Sequence, residues 1–412
     1  MSTATVDRRM KRWQEQRWIL DAVIRTVGVE WDQHRLGYMS APGGPLAGPE
    51  FRAVGARIRR VADFEREFSA AARKREARAA QAEKEGRLVS ARENYMIAAL
   101  HWATARWPIF EVDTLLDHLE ERMNHCYGKF AALSAHPVEV VRIPFEGKAL
   151  RAWLHLPRKP AAGEKFPCVV NIPGMDSCKE SGVMMYGDAY LERGMAVLSI
   201  DGPGQAESVS LGIYVTARNH MDAAVATFDW LEMHPAIDRE RLLIRGTSFG
   251  TYWGLQWAAA LGSRTKAVAV SGVCHEPGCN TIFNMASPSF KLRYMWMANY
   301  EDENEFDEFA KTIDLRPTVP DIACPVLIVA GEQDQLSPVE FSYEVFEQIR
   351  APKEIVVYEG ANHSVADAPS VANGENPRVY LADWLERRLD GEPLKSVKAF
   401  VDSTGRRTDT PV

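Results

Sequence analysis

From residue 166 onward, short apolar runs alternate with helical patterns. The runs are "FPCVVNIPG" (166–174), "MAVLSIDGPG" (195–204), "RLLIRGTS" (241–248), "AVAVSGV" (267–273), "CPVLIVAGEQD" (324–334) and "KEIVVYEGANH" (353–363), with stretches such as "ARNHMDAAVATFDWLEMH" between them. This alternation limits the fold more than any other feature. A strand with one wet face alternates apolar and polar residues, whereas a strand apolar throughout is covered on both faces. Such runs separated by helices make a mostly parallel sheet with helices on both sides, an α/β architecture. Just before them, "VEVVRIPF" and "ALRAWLHLP" are expected to pair as strands through the turn "EGK".

The chain changes character near residue 135. In "RWQEQRWILDAVIRTVGVEW", Trp13, Trp18, Ile19, Ala22, Val23 and Val27 approach the spacing of one helical face. Residues 71–93 mix basic and acidic side chains, as a solvated helix does. Gly86 can end that helix, Ser90 with Glu93 forms an S-x-x-E capping box for the next, and Pro108 breaks it. The division expected is residues 1–135 as a helical cap, 136–390 as the catalytic α/β domain, and 391–412, polar with Gly, Pro and Ser, as a loose tail.

In an open parallel sheet, reactive groups collect at the carboxyl ends of the strands. Ser248 follows "LLIR" inside G-T-S-F-G, Asp334 follows "VLIVAGEQ", and His363 follows "IVVYEGAN". Ser, Asp, His is the chain order of an α/β-hydrolase triad, with the serine on a G-x-S-x-G elbow. A serine hydroxyl is a weak nucleophile until a base takes its proton. His363 would be that base, and Asp334 would hold the imidazole in the right tautomer. Gly246 and Gly250 permit a tight turn that exposes the serine. The negative oxygen of a tetrahedral intermediate needs donors. Phe249 N–H is one candidate, and Met175 N–H in "NIPGMDSCKES" the other, with Asp176 as an alternative. Glu276, at another strand end, would hold a polar group of the substrate or protonate a leaving carbon; a paired structural carboxylate is the other reading. Residues 277–316 carry Phe283, Met285, Phe290, Tyr294, Met295, Trp296 and Met297, which suits either a lid over an apolar substrate or a packing patch against the helices.

Several classes of function fall away. The net charge of −7 argues against nucleic-acid binding. No apolar run is long enough to span a membrane, and "MSTATVDRRMKRW" lacks the apolar core of a signal peptide. The six cysteines are scattered without a CxxC pair, so free thiols in a cytoplasmic protein are expected. No metal site, P-loop or dinucleotide fingerprint is evident, and no cofactor is expected. A peptidase is disfavoured because no β-propeller-like repeats precede the sheet.

With "SARENYMIAALHWA", "PGMDSCKE", "GTSFGTYWGLQWA", "GEQDQLSP" and "GANH", nearly the whole chain resembles α/β-hydrolases that carry an N-terminal helical domain. These include the nicotine-degrading and fungal polyketide-shortening enzymes and, more distantly, FrsA-like esterases. The resemblance implies that Ser248, Asp334 and His363 are the triad and that Met175 and Phe249 line the oxyanion hole. It loosely aligns Glu276 with an active-site glutamate. It also implies a homodimer and hydrolysis of a carbon–carbon bond beside a ketone in an apolar or aromatic, 1,3-diketone-like substrate held between cap and core. Ester hydrolysis, acyl transfer and a non-catalytic ligand-binding role are the alternatives.

Overall fold

The computed structural model describes the backbone from residue 11 to 412 and side chains from Arg17 onward. Six helices come first: α1 (Lys11–Thr26), α2 (Arg35–Ser40), α3 (Ala47–Gly55), α4 (Asp63–Lys84), α5 (Leu88–Ala105) and α6 (Thr114–Ala132). The face expected on α1 is not the buried one. Leu20 and Ile24 turn inward, while Trp18 is 70% and Val27 71% exposed; Trp13 lies outside the described side chains. Asp21 sets this rotation, since its carboxylate accepts a hydrogen bond from Val61 N at 3.0 Å, and Leu20 and Ile24 flank it on the same side.

Gly86 does end α4, in the left-handed region at φ 75°. Arg87 N then bonds back to Ala82 O at 2.8 Å. The turn is so tight that α5 starts at Leu88, with Arg87 at its cap position. Ser90 therefore lies inside the first turn and no capping box forms. Glu93 instead accepts a hydrogen bond from Tyr186 Oη. α5 stops at Ala105, before Pro108, and α6 is capped by Asp113, which accepts from Leu115 N and Leu116 N at 3.0 Å.

The strands are β1 (Val138–Phe145), β2 (Lys148–His155), β3 (Phe166–Ile172), β4 (Ala196–Asp201), β5 (Ile237–Thr247), β6 (Ala267–Ser271), β7 (Val326–Gly331), β8 (Lys353–Tyr358), β9 (Val397–Val401) and β10 (Arg407–Pro411). They form one sheet in the order β1-β2-β4-β3-β5-β6-β7-β8-β9-β10. β1 and β2 are antiparallel to each other and β2 to β4; β4 through β9 run parallel. β3, β4, β6, β7 and β8 are buried at every residue, which explains why their sequences show no alternation of apolar and polar residues.

The expected loose tail is a correction. β9 pairs with β8, and β10 folds back on β9. Alternation hides this pair in the sequence: Ala399 and Val401 are buried while β10 is exposed throughout.

After the six leading helices come α7 (Glu207–Ser210), α8 (Asn219–Met233), α9 (Phe249–Leu261), α10 (Pro288–Met297), α11 (Glu303–Ala310), α12 (Val339–Gln348) and α13 (Pro377–Leu389). On one face of the sheet, Trp384 and Leu385 of α13 close a cluster with Val169, Leu243, Leu327 and Val356. On the other face, a single apolar cluster runs from Val170, Ile244 and Ile328 through Trp153 and Tyr127 to Trp102, Phe64 and Phe51. The sheet and the leading helices thus share one interior.

Candidate active site

Ser248 stands between β5 and α9 at φ 56°, ψ −127°. A non-glycine residue in that region carries roughly 1–3 kcal/mol of backbone strain, and the flanking glycines make the turn sterically feasible. A Cβ on Gly246 would lie 2.1 Å from Gly250 O, and one on Gly250 2.1 Å from Ile172 O. The turn is tied down by Ser248 N donating to Ser271 O at 3.2 Å and by Thr251, whose N and Oγ1 donate to Ser248 O at 2.8 and 2.6 Å.

His363 Nε2 lies 3.0 Å from Ser248 Oγ. Its Nδ1 lies 2.9 Å from Asp334 Oδ2 and 3.2 Å from Oδ1. Asp334, with a fully buried side chain, also accepts from Leu336 N at 2.8 Å and Ser337 N at 3.1 Å. A carboxylate held this way orients Nδ1–H toward itself and leaves Nε2 as the acceptor facing the hydroxyl. Two glycines let the histidine loop approach: Cβ atoms at Gly272 and Gly331 would meet His363 O at 2.8 Å and Asn362 O at 2.2 Å.

The loop after β3 comes down onto the serine. A Cβ on Gly174 would sit 2.8 Å from Ser248 Cβ and 3.3 Å from its Oγ; the oxyanion-hole candidates Met175 and Phe249 directly follow Gly174 and Ser248 in the chain. Gln205 holds this loop: its Nε2 donates to Pro173 O at 2.7 Å, while its Oε1 accepts from Gly202 N at 3.0 Å. Gln205 lies in a segment whose sequence suggests only structural punctuation, and nothing short of the fold shows that it reaches residue 173. Asp201, in the same segment, accepts from Lys179 N at 2.8 Å.

Asp176 sits between two guanidiniums, 3.6 Å from Arg35 and 3.7 Å from Arg293. Glu276 is only 9% exposed and accepts from Thr281 N at 2.7 Å, so one of its oxygens fastens the turn that opens residues 277–285. Two residues before it, Cys274 Sγ lies 3.8 Å from Ser248 Oγ, and burial pushes that thiol well above its usual range. Sequence spacing gave no sign of this thiol, because β5 and β6 become neighbours only in the sheet. The 277–316 excursion packs directly on the residue after Ser248: the Phe249 ring is 4.8 Å from Tyr294 and 5.8 Å from Phe283. Met285 alone of its bulky residues stands out, 73% exposed. A crevice of about 170 Å³ opens between this excursion and the helices, lined by Phe110, Val112, Val209, Tyr214, Trp296 and Asn299. A groove of about 420 Å³ at the β9–β10 edge touches none of the three triad candidates.

The strand order and the strained serine at the β5–α9 turn define an α/β-hydrolase. Residues 185–391, just over half of the chain, match the prolyl oligopeptidase family model, and the protein belongs to that family. It is similar to 2,6-dihydropseudooxynicotine hydrolase of Paenarthrobacter nicotinovorans, with 27% identity over 73% of this chain and 77% of the relative. It is also similar to the hydrolase ORFZ of Pyricularia oryzae, with 32% identity over 42% of each chain. Among solved structures, a 2,6-dihydroxy-pseudo-oxynicotine hydrolase superposes with a TM-score of 0.72 at 24% identity, covering 88% of this chain and 97% of the other. The protein is an enzyme, a hydrolase. Among the described residues, no helix is long and apolar enough to cross a membrane.

Proposed function

We propose that Ser248, His363 and Asp334 are nucleophile, base and orienting acid of an acyl-enzyme hydrolase that cleaves a carbon–carbon bond beside a ketone. One observation carries the triad: a strained serine whose Oγ is 3.0 Å from an imidazole that is itself 2.9 Å from a buried carboxylate. The similarity to a pseudooxynicotine hydrolase across most of both chains favours the carbon–carbon reading.

In the first half-reaction Ser248 Oγ attacks the carbonyl carbon while His363 Nε2 takes its proton. The oxyanion is held by the N–H groups of Met175 and Phe249. Collapse restores the carbonyl and breaks the bond to the neighbouring carbon. The electron pair leaves as a ketone-stabilised enolate and recovers a proton from the imidazolium. In the second half, His363 takes a proton from water, the hydroxide attacks the acyl ester, and Ser248 regains its proton as the acid departs. Glu276, at the same rim, would accept a hydrogen bond from a polar O–H of the substrate, such as the enol of a 1,3-diketone, through the oxygen not given to Thr281.

The test is to incubate the protein with 1-phenyl-1,3-butanedione, 4-nitrophenyl acetate and a fluorophosphonate. Cleavage of the diketone to equal amounts of acid and ketone, together with labelling of Ser248, is expected. Ester turnover without diketone cleavage would make the protein a carboxylesterase, and product carrying an added amine or alcohol would make it an acyltransferase. An unlabelled, inactive protein would be a ligand-binding relative. A homodimer, expected from the resemblance, is checked by sedimentation.

A further inference from the structure

Beside the loop after β3 lies a buried cluster of charged side chains that none of these steps uses. Arg293, on α10, is 4% exposed. Its guanidinium is flanked by the rings of Phe110 at 4.6 Å and Trp296 at 5.0 Å, and both rings also line the crevice described above. One of its nitrogens donates to Trp107 O. Its Nε has no hydrogen-bond partner and faces Asp176 Oδ1 at 3.7 Å, beyond hydrogen-bond reach. Arg35, 1% exposed, stacks on Trp107 at 3.9 Å and spends its two terminal nitrogens on Asp32 at 2.9 and 3.3 Å. Asp176 is thus a shared, loose partner, and Arg293 has no carboxylate of its own.

A buried ion pair kept for structure alone needs close geometry and satisfied donors, because desolvation otherwise outweighs the attraction. The Arg293–Asp176 pair lacks both, at 3.7 Å and with Arg293 Nε unpartnered. Burial, aggravated by Arg106 and Arg35 and only partly offset by Asp176, pulls the Arg293 guanidinium down to about 9. A cation without a close carboxylate, lying behind two rings that line a crevice, is suited to receive an anion.

The cluster lies next to the chemistry by two routes. Asp176 is two residues from Gly174, which abuts Ser248. Tyr294, next to Arg293, has its ring on Phe249, the residue after the nucleophile.

We infer that Arg293, with Asp176 and Arg35 holding its position, receives an anionic oxygen of the substrate, so that the enzyme selects substrates carrying a carboxylate or comparable anion a few bonds from the scissile carbonyl. The inference rests on the hydrolase reading and adds the substrate class to it.

The test is protection of Ser248 from fluorophosphonate labelling. Benzoate, phenylacetate and 3-phenylpropanoate are compared with their carboxamides, which match them in shape and lack the charge. In the wild-type protein at least one carboxylate should protect at concentrations about tenfold or more below its amide. In Arg293→Met that ratio should fall to within about threefold of one, and Arg293→Lys, with charge but no planar fork, should lie between. If Arg293→Met does not fold, the wild-type ratio and Arg293→Lys still decide. Equal protection by acids and amides, or a ratio that survives in the variants, overturns the inference. Absence of labelling in the wild type overturns the hydrolase reading instead, so the two failures are told apart.

Discussion

At Ser248 the backbone is strained, the hydroxyl meets the His363 imidazole, and the loop after β3 packs against its Cβ; each follows from a small set of side chains. Ser248→Ala should lower kcat by about 10⁴-fold or more with little change in melting temperature, and Asp334→Asn, which loses the tautomer control, by about 10³–10⁴-fold. Near-normal turnover by either variant would remove the triad assignment. Buried histidines predict a pH effect on stability. His220 Nε2 donates to Pro203 O at 3.0 Å, and Nδ1 accepts from Trp257 Nε1 at 3.4 Å, a pattern only neutral imidazole can make. Burial holds His220 at about 3 and, against the pull of Asp334, His275 at about 3. Unfolded, both take up protons near pH 6.5. Stability contributed by keeping them neutral is therefore complete above pH 6.5 and drains away as pH falls toward 3, by about 1.4 kcal/mol per pH unit for each. Urea midpoints measured from pH 7.5 to 5 should fall accordingly; a flat profile would contradict the assignment. The triad candidates were legible because residue type, strand-end position and chain order all agree. Cys274, Gln205 and Arg293 were not, because each acquires meaning only from a neighbour that is remote in sequence.

Among the elements, the inner strands were readable from hydrophobicity alone, since burial on both faces leaves no alternation to misread. The outer ones were not. β9 and β10 look like tail because edge strands are short and polar, which is how sheets avoid pairing with other chains. Their contribution is measurable. Glu354 on β8, 4% exposed, accepts from Trp384 Nε1 at 2.9 Å, from Tyr380 Oη, and from Arg407 Nη2 on β10 at 2.8 Å. Arg407→Met leaves that carboxylate without a cation and should cost about 2 kcal/mol in urea unfolding, with kcat unchanged. An unaltered midpoint would mean that β10 is ornamental. The missed capping box teaches a related lesson: a glycine that ends one helix can start the next before its sequence signal is reached.

Across the whole molecule, the apolar interior does not stop where the helices give way to strands. Loss of helical circular dichroism, loss of tryptophan fluorescence and loss of activity should coincide in one urea transition, because Trp31, Trp102 and Trp107 in the N-terminal part and Trp153, Trp253 and Trp257 near the sheet belong to or pack on the same cluster. Two separated transitions would show that the helical half folds on its own. A shared interior also governs molecular traffic. A cap hinged on a wet seam could swing wide and admit a bulky guest; a cap fused to its base along a dry one has no such freedom.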